Sequence, residues 1–262
     1  MSLIYVFAAS KTEARSVEKL MNRHENDASV LSPGRIGTND VIVFITGIGP
    51  KNASASASTA LLNLKPTTIN PSALRRPDAV LVVGMCGSLT GSIGEGEVIV
   101  YSKCLSSQST SDQLHPTTKL VERVYSLLKT KAISSRSVMG ISTPRIATTK
   151  SEKLALAKSG AEVVDMESYE ILAVALQAQL PVAVVRVVSD SLDRQIPDFN
   201  LALEENGEIS SLKLLKVALV SPILTAKAYL ASRQALQKLS NALEIVLHDD
   251  TYARPDSDAL SR

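Results

Sequence analysis

The stretch "VAVVRVVSD", residues 182–190, most narrows what this chain can fold into. Valine recurs on both faces of any extended segment built from it, so neither face is left for water. A strand of that kind belongs to a largely parallel sheet covered on both sides by helices. Four more runs have the same character: "LIYVFAA" (3–9), "VIVFITG" (41–47), "DAVLVVG" (78–84, ending in a glycine-rich loop) and "EVIVYSK" (97–103). "SVMGIST" (137–143) and "AEVVD" (161–165) are shorter strand candidates. Helical patterns fall between them, at residues 11–23, 52–64, 118–128, 150–160 (closed by Gly160) and 167–179, the last stopping before Pro181. Residues 212–247 also read as helical, with a break at Pro222. Three stretches read as irregular: turn-rich "SPGRIGTND" (32–40), "KPTTINPSALRRP" (65–77) with three prolines, and the Ser/Thr/Gln-rich residues 105–118. Strand–helix alternation predicts a single α/β domain over residues 1–247, three α/β/α layers around a mixed, largely parallel sheet. Residues 248–262 read as a polar, mobile tail.

Charge and composition remove several functions. Lys and Arg total 28 against 26 for Asp and Glu, so no strong field points to nucleic acid. Trp is absent and aromatics make up 3%, too few for base-stacking platforms. Cys86 and Cys104 form no CxxC, and His24, His115 and His248 are scattered, so no metal site is expected. Residues 3–9 have no basic residue before them and read as a strand, although the small residues Ala8, Ala9 and Ser10 leave a signal-peptide reading open. No apolar run reaches the ~18 residues of a membrane span. The expectation is a cytoplasmic protein with no membrane span.

What calls for explanation is the placing of acids where buried strands end. Glu13 follows the first strand, Asp165 and Glu167 follow "AEVV", and Asp190 closes the valine run. In open α/β sheets ligands sit beyond the carboxyl ends of strands, so these acids can share one mouth. Local roles compete. "SKTE" (10–13) is a capping box, with Ser10 as N-cap and Glu13 reaching back. Asp165 can cap the helix that follows, with Glu167 near the positive end of its dipole. Asp190 is harder to assign to a cap, because "SLDRQIPDF" is a poor helix start. "TGIGPKNA" (46–53) has Gly47 and Gly49 but puts Asn52 at the third glycine of a dinucleotide fingerprint, and "GMCGSLTGSIGEGE" (84–97) lacks GK[ST].

Five segments in order, "AASKTEA", "VIVFITGIGPKNA", "AVLVVGMCGSLTGSIGEGEVIV", "VVDMES" and "VAVVRVVSDSLD", resemble the purine nucleoside phosphorylase/nucleosidase superfamily, above all its methylthioadenosine/S-adenosylhomocysteine nucleosidase branch. The resemblance implies that Met166 and Glu167 hold the ribose, Asp190 protonates the purine at N7 and Glu13 activates water. It places Gly84, Met85, Cys86 and Gly87 beside sugar and base, and Ile146 near the purine edge. It implies a homo-oligomer acting on a small purine nucleoside without a cofactor, with phosphate as co-substrate if the reaction is phosphorolysis. Phosphorylases of the superfamily carry a GDPxR-like segment and an arginine two residues before the first glycine of the loop. Here that position is Val82 and no GDPxR occurs, which favours water, unless Arg15, Arg35 or Arg145 supplies an anion clamp. "TEAR", "SDSLDRQIP" and the long C-terminal helical region resemble the hopanoid-associated, phosphorylase-like branch, which implies release of adenine from an adenosyl-hopane intermediate. A non-catalytic nucleoside-binding module is the remaining alternative.

The chemistry asks for such a set on its own account. Breaking an N-ribosidic bond leaves a cationic sugar and a purine that departs poorly unless protonated. Negative charge near the sugar stabilises the cation, and a base activates water.

Overall fold

The computed structural model describes residues 1–22, 32–62, 75–204 and 210–253. Its strands are β1 (Leu3–Ala8), β2 (Ser32–Ile36), β3 (Asn39–Ile45), β4 (Ala79–Ser88), β5 (Val98–Ser106), β6 (Ser109–Leu114), β7 (Ser135–Ser142), β8 (Val163–Asp165) and β9 (Val182–Asp190). The helices are α1 (Lys11–Glu18), α2 (Pro50–Leu61), α3 (Thr118–Thr130), α4 (Lys150–Ala157), α5 (Ser168–Gln177), α6 (Ser211–Val220) and α7 (Pro222–Leu247).

The two faces of the valine strand go to two cores. Ala183, Val185 and Val187 pack with residues of α1, α3 and α7, while Val182, Val184 and Val188 pack with residues of α2 and α5. The same division holds along β1 and β4, which gives three layers with the sheet in the middle. Each side chain so buried contributes roughly 1.5–3 kcal/mol against conformational entropy. Arg186 falls in the register slot between Val184 and Val188, facing α5, and is 1% exposed. No apolar pattern predicts a charge there.

The sheet is mixed. Parallel pairings join β1 to β3 and β4, β4 to β9, and β7 to β5 and β8. Antiparallel pairings join β2 to β3, β4 to β8, and β5 to β6 and β9. Because β9 pairs both β4 and β5, the path β4-β8-β7-β5-β9 closes into a ring. At Gly87 this closure brings Val164 of β8 and Asp190 of β9 to opposite sides of β4.

Several expectations need correction. The turn-rich stretch 32–40 holds β2, an antiparallel partner of β3 joined through Gly37 at φ +56°. The stretch 105–118 holds β6, paired to β5. Residues 84–88 are not a loop: β4 runs through them. Helix α1 stops at Glu18, and Arg23 lies outside the described residues. Residues 248–253, which open the expected tail, are described and make contacts with the domain. Asp249 accepts two bonds from Arg123 at 2.6 and 2.7 Å, and Asn39 Nδ2 donates to the carbonyls of Leu247 and Asp249. Residues 254–262 lie outside the description, as does most of the proline-rich stretch expected as a loop.

Candidate active site

Helix α1 begins at once after β1, with no connecting loop to spare. Ser10 is its N-cap, its hydroxyl accepts from the Glu13 amide, and Glu13 Oε2 accepts from the Ser10 amide at 3.2 Å. The capping box is therefore real. Oε2 also takes the Ala9 amide at 3.1 Å and the Ser10 hydroxyl at 3.3 Å. The other oxygen behaves differently: Oε1 takes the Met85 amide of β4 at 2.8 Å. A carboxylate offers about four lone-pair sites. Oε2 is spent on the cap, and Oε1 keeps room for a further proton donor. Capping and chemistry are divided between the two oxygens of one side chain.

Gly84 explains how β4 can pass so close. Its φ is +152°, and a Cβ there would collide with Arg186 Nη1 and stand 2.5 Å from Glu13 Oε1. Gly87 is similar: a Cβ would lie 2.9 Å from Asp190 Oδ2. Glycine at these positions makes room for charged groups rather than forming a turn.

Around Arg186 lies a buried cluster of acids. Its Nε is 3.3 Å from Asp165 Oδ2 and its Nη2 3.5 Å from Glu167 Oε2, and both nitrogens donate to the Ser168 hydroxyl, at 3.1 and 2.8 Å. Asp165 Oδ1 accepts from the amides of Glu167 and Ser168 at 3.1 Å each and from the Ser142 hydroxyl at 2.6 Å, while Oδ2 accepts from the Tyr101 hydroxyl at 2.8 Å. Asp165 thus meets the amides at the start of α5, although the N-cap position itself is Glu167 and not Asp165 as expected. Burial alone would raise its pKa, but Arg186 and the bonds from Ser142, Ser168 and Tyr101 outweigh burial and hold it below the usual range. Glu167 has fewer donors. Its Oε1 takes the Gly49 amide at 2.9 Å, and burial, only partly offset by Arg186 and reinforced by Asp165 and Glu13, pushes its pKa up to about 7. The "TGIGPKNA" glycine turn therefore serves this site through a backbone amide and not as a dinucleotide loop. Burial likewise pushes the thiols of Cys86 and Cys104 well up, which leaves both inert.

Asp190 has a different neighbourhood. Lys153 Nζ of α4, 0% exposed, donates to Asp190 Oδ2 at 2.5 Å, to the Ser191 carbonyl at 2.6 Å and to the Arg194 carbonyl at 3.3 Å. All three ammonium protons are placed. The Ser189 hydroxyl donates to Asp190 Oδ1 at 2.7 Å.

These groups meet in one cavity of about 360 Å³. Glu13, Met85, Cys86, Gly87, Ile146, Met166, Glu167 and Asp190, all expected at the site, line it. Gly84 is outside the lining and lies beneath it, against Glu13 and Arg186. Of the three arginines considered as an anion clamp, Arg145 lines the cavity, Arg15 is exposed on α1, and Arg35 pairs with Asp40 on the β2–β3 hairpin. The profile of the phosphorylase superfamily matches residues 4–220.

The chain belongs to the phosphorylase superfamily. It shares that superfamily's enzyme fold. A futalosine hydrolase of Helicobacter pylori superposes with a TM-score of 0.70 at 14% identity, over 94% of this chain and 97% of the other. A 5′-methylthioadenosine/S-adenosylhomocysteine nucleosidase of Neisseria meningitidis, solved with methylthio-immucillin-A, gives 0.71 at 14% identity over 95% and 99%. An S-adenosylhomocysteine nucleosidase of Streptococcus pyogenes gives 0.70 at 14% identity over 94% and 96%. No curated protein matches by sequence.

Within this superfamily member, Lys153 and Arg186 are the functional candidates that sequence reading passed over. Arg186 carried a signal, a lone cation in a valine strand, which forces a buried anionic partner. Lys153 carried none, since "KSEKLALAK" reads as an ordinary exposed helix.

Proposed function

We propose that this enzyme cleaves the N-ribosidic bond of a purine nucleoside with water. The observation that carries the reading is the asymmetry of the acids lining the cavity: Glu13 and Glu167 lie near the Arg186 guanidinium, whereas Asp190 is paired separately with the buried ammonium of Lys153. A ribose held with its hydroxyls against Glu167 develops positive charge at C1′ beside net negative charge. The C1′–N9 bond breaks, its electron pair goes to the purine, and a proton from the Asp190–Lys153 pair passes to N7. Because Lys153 sits on Asp190 Oδ2, the transferable proton belongs to the pair and not to the carboxyl alone. Water adds to C1′, and its proton goes to Glu13 Oε1, the oxygen with a free lone pair.

Water rather than phosphate is favoured by the cations, since the exposed Arg145 is the one Lys or Arg among the described residues lining the cavity. Val82 stands where a phosphorylase would place its arginine, and it is fully buried. The Arg186 guanidinium is committed to Asp165 and Glu167. Ile196, Phe199, Ala228 and Leu236 form an apolar wall, which suits a nucleoside with an apolar 5′ group. Methylthioadenosine and an adenosyl-hopane are both of that type.

The test is a panel of nucleosides with polar and apolar 5′ substituents, incubated with and without phosphate. Release of free base and free sugar in phosphate-free buffer is the expected result. Turnover only with phosphate, yielding a sugar 1-phosphate, would replace this reading by phosphorolysis. Binding with no base release under either condition would leave a nucleoside-binding module.

A further inference from the structure

Helix α6 carries apolar residues on two sides, and its protein neighbours cover one of them. Val217 is buried, and Leu214 and Ala218 are partly buried, where α6 packs on the short 3-10 helix Phe199–Ala202 and on α7. Leu212, Leu215 and Leu219, spaced i, i+3 and i+7, share the opposite side and stand in solvent, Leu219 with 73% of its surface exposed. The patch continues through Val220 and Ile223, 83% and 70% exposed, across the 115° bend into α7, and on to Tyr229 and Leu230. Leu201 of the 3-10 helix is exposed as well. A helix with apolar residues on all sides is normally covered on all sides.

The charges around the patch say what covers it. From Ile209 to Leu243 the sequence contains Lys213, Lys216, Lys227, Arg233 and Lys238 and no acid. Lys216 follows Leu215, and Lys227 lies on the same side of α7 as Ile223 and Leu230, at i+4 and i+7 from Ile223. Among the described residues neither lysine is in an ion pair, whereas Lys213 is paired with Glu204 at 3.0 Å. Arg233 lies over the Tyr229 ring, 6.0 Å from its centroid. Exposed leucine and isoleucine flanked by basic residues match the surface of an anionic bilayer, where apolar side chains enter the acyl boundary and ammonium groups meet headgroups.

Lying on a membrane fits this geometry and crossing one does not. Among the described residues no single helix is long and apolar enough to span. The second half of α7 is committed to the protein core through Ala235, Leu239, Ala242, Leu243 and Val246.

We propose that the outer face of α6 and the start of α7 form a docking surface for an anionic lipid bilayer. The surface adjoins the catalytic cavity. Ala228, Ser232 and Leu236 of α7 line the cavity, and Tyr229 and Leu230 beside them belong to the patch; Phe199 and Leu201 are related in the same way. Docking would set the cavity rim close to the headgroup region.

The experiment is flotation with vesicles of phosphatidylglycerol and phosphatidylcholine, compared with vesicles of phosphatidylcholine alone. Light scattering gives the oligomeric state of each sample. The full chain should float with the anionic vesicles, much less with the neutral ones, and less again as salt is raised. Lys216→Gln with Lys227→Gln should weaken partition by roughly an order of magnitude. Leu215→Glu with Leu219→Glu should abolish it. Should that variant fold poorly, Leu219→Trp is a milder probe: the sequence has no other Trp, so its emission should shift to the blue on anionic vesicles alone. No flotation and no shift with any vesicle would overturn the proposal. So would a stable homodimer that the Leu215 and Leu219 substitutions dissociate, since a second copy would then be the occupant. None of these readouts depends on which nucleoside is cleaved.

Discussion

Two groups of acids at the cavity treat charge in opposite ways. In one, three carboxylates, Glu13, Asp165 and Glu167, gather near a single guanidinium, so the region is anionic overall and Glu167 is pushed up to about 7. In the other, one carboxylate meets one ammonium, and the Asp190–Lys153 pair is neutral. The proposed reaction has the same asymmetry. The sugar becomes cationic and needs surplus negative charge, while the base becomes anionic and needs a proton. An enzyme with the two environments exchanged would stabilise neither charge.

The sharpest way to break the comparison is Asp190→Asn. An amide cannot carry the proton, so single-turnover base release should fall by about 10²–10⁴-fold while circular dichroism stays native. Near wild-type base release would remove Asp190 from proton transfer.

Glu13→Gln tests the division of roles between two oxygens. The amide oxygen can keep the cap, but its NH2 then faces the Met85 amide, so stability should fall by about 1–3 kcal/mol. Hydrolysis should nevertheless fall by about two orders of magnitude, because Oε1 can no longer take the proton of water. A variant that melts early but hydrolyses normally would confine Glu13 to the cap.

Lys153→Met makes the neutral group resemble the anionic one. Removing one partner of a buried pair costs about 3–5 kcal/mol. Single-turnover base release should fall as well, because Asp190 would lack the ammonium that shares its proton. A stability loss with unchanged base release would reduce Lys153 to packing.

The smallest effect concerns Glu167. Its folded pKa lies above the ordinary carboxylate value, so the folded state binds its proton more tightly than the unfolded chain does. The contribution to stability is present below the unfolded pKa, is lost as pH rises toward about 7, and stays lost above it. Melting temperatures of wild type minus Glu167→Gln should therefore decline between about pH 4.5 and 7, by several degrees at roughly 2–4 °C per kcal/mol. A flat difference would contradict the strained burial of this carboxylate.

Much of the architecture was legible because burial on both faces of a strand leaves an unmistakable composition. The runs that became β1, β3, β4, β5 and β9 needed only apolar β-branched residues. Strands β2 and β6 were hidden for the converse reason: one carries Pro33 and Gly34, the other is polar, and each is ordered by pairing with a neighbour and not by its own apolar pattern. Residues 84–88 were misread because glycine in a sequence suggests a turn, whereas here it clears space for Glu13, Arg186 and Asp190.

By itself the sequence determined the layered fold and placed Glu13, Glu167 and Asp190 at strand ends, since local periodicity and position along the chain are enough for both. Only the tertiary structure decided what each acid became. Lys153 reaches Asp190 across 37 positions, and Gly49 reaches Glu167 across 118. The protonation of a buried carboxylate depends on which charges lie within a few ångströms of it. That is a property of chain segments brought together by folding, and no pattern along a single segment records it.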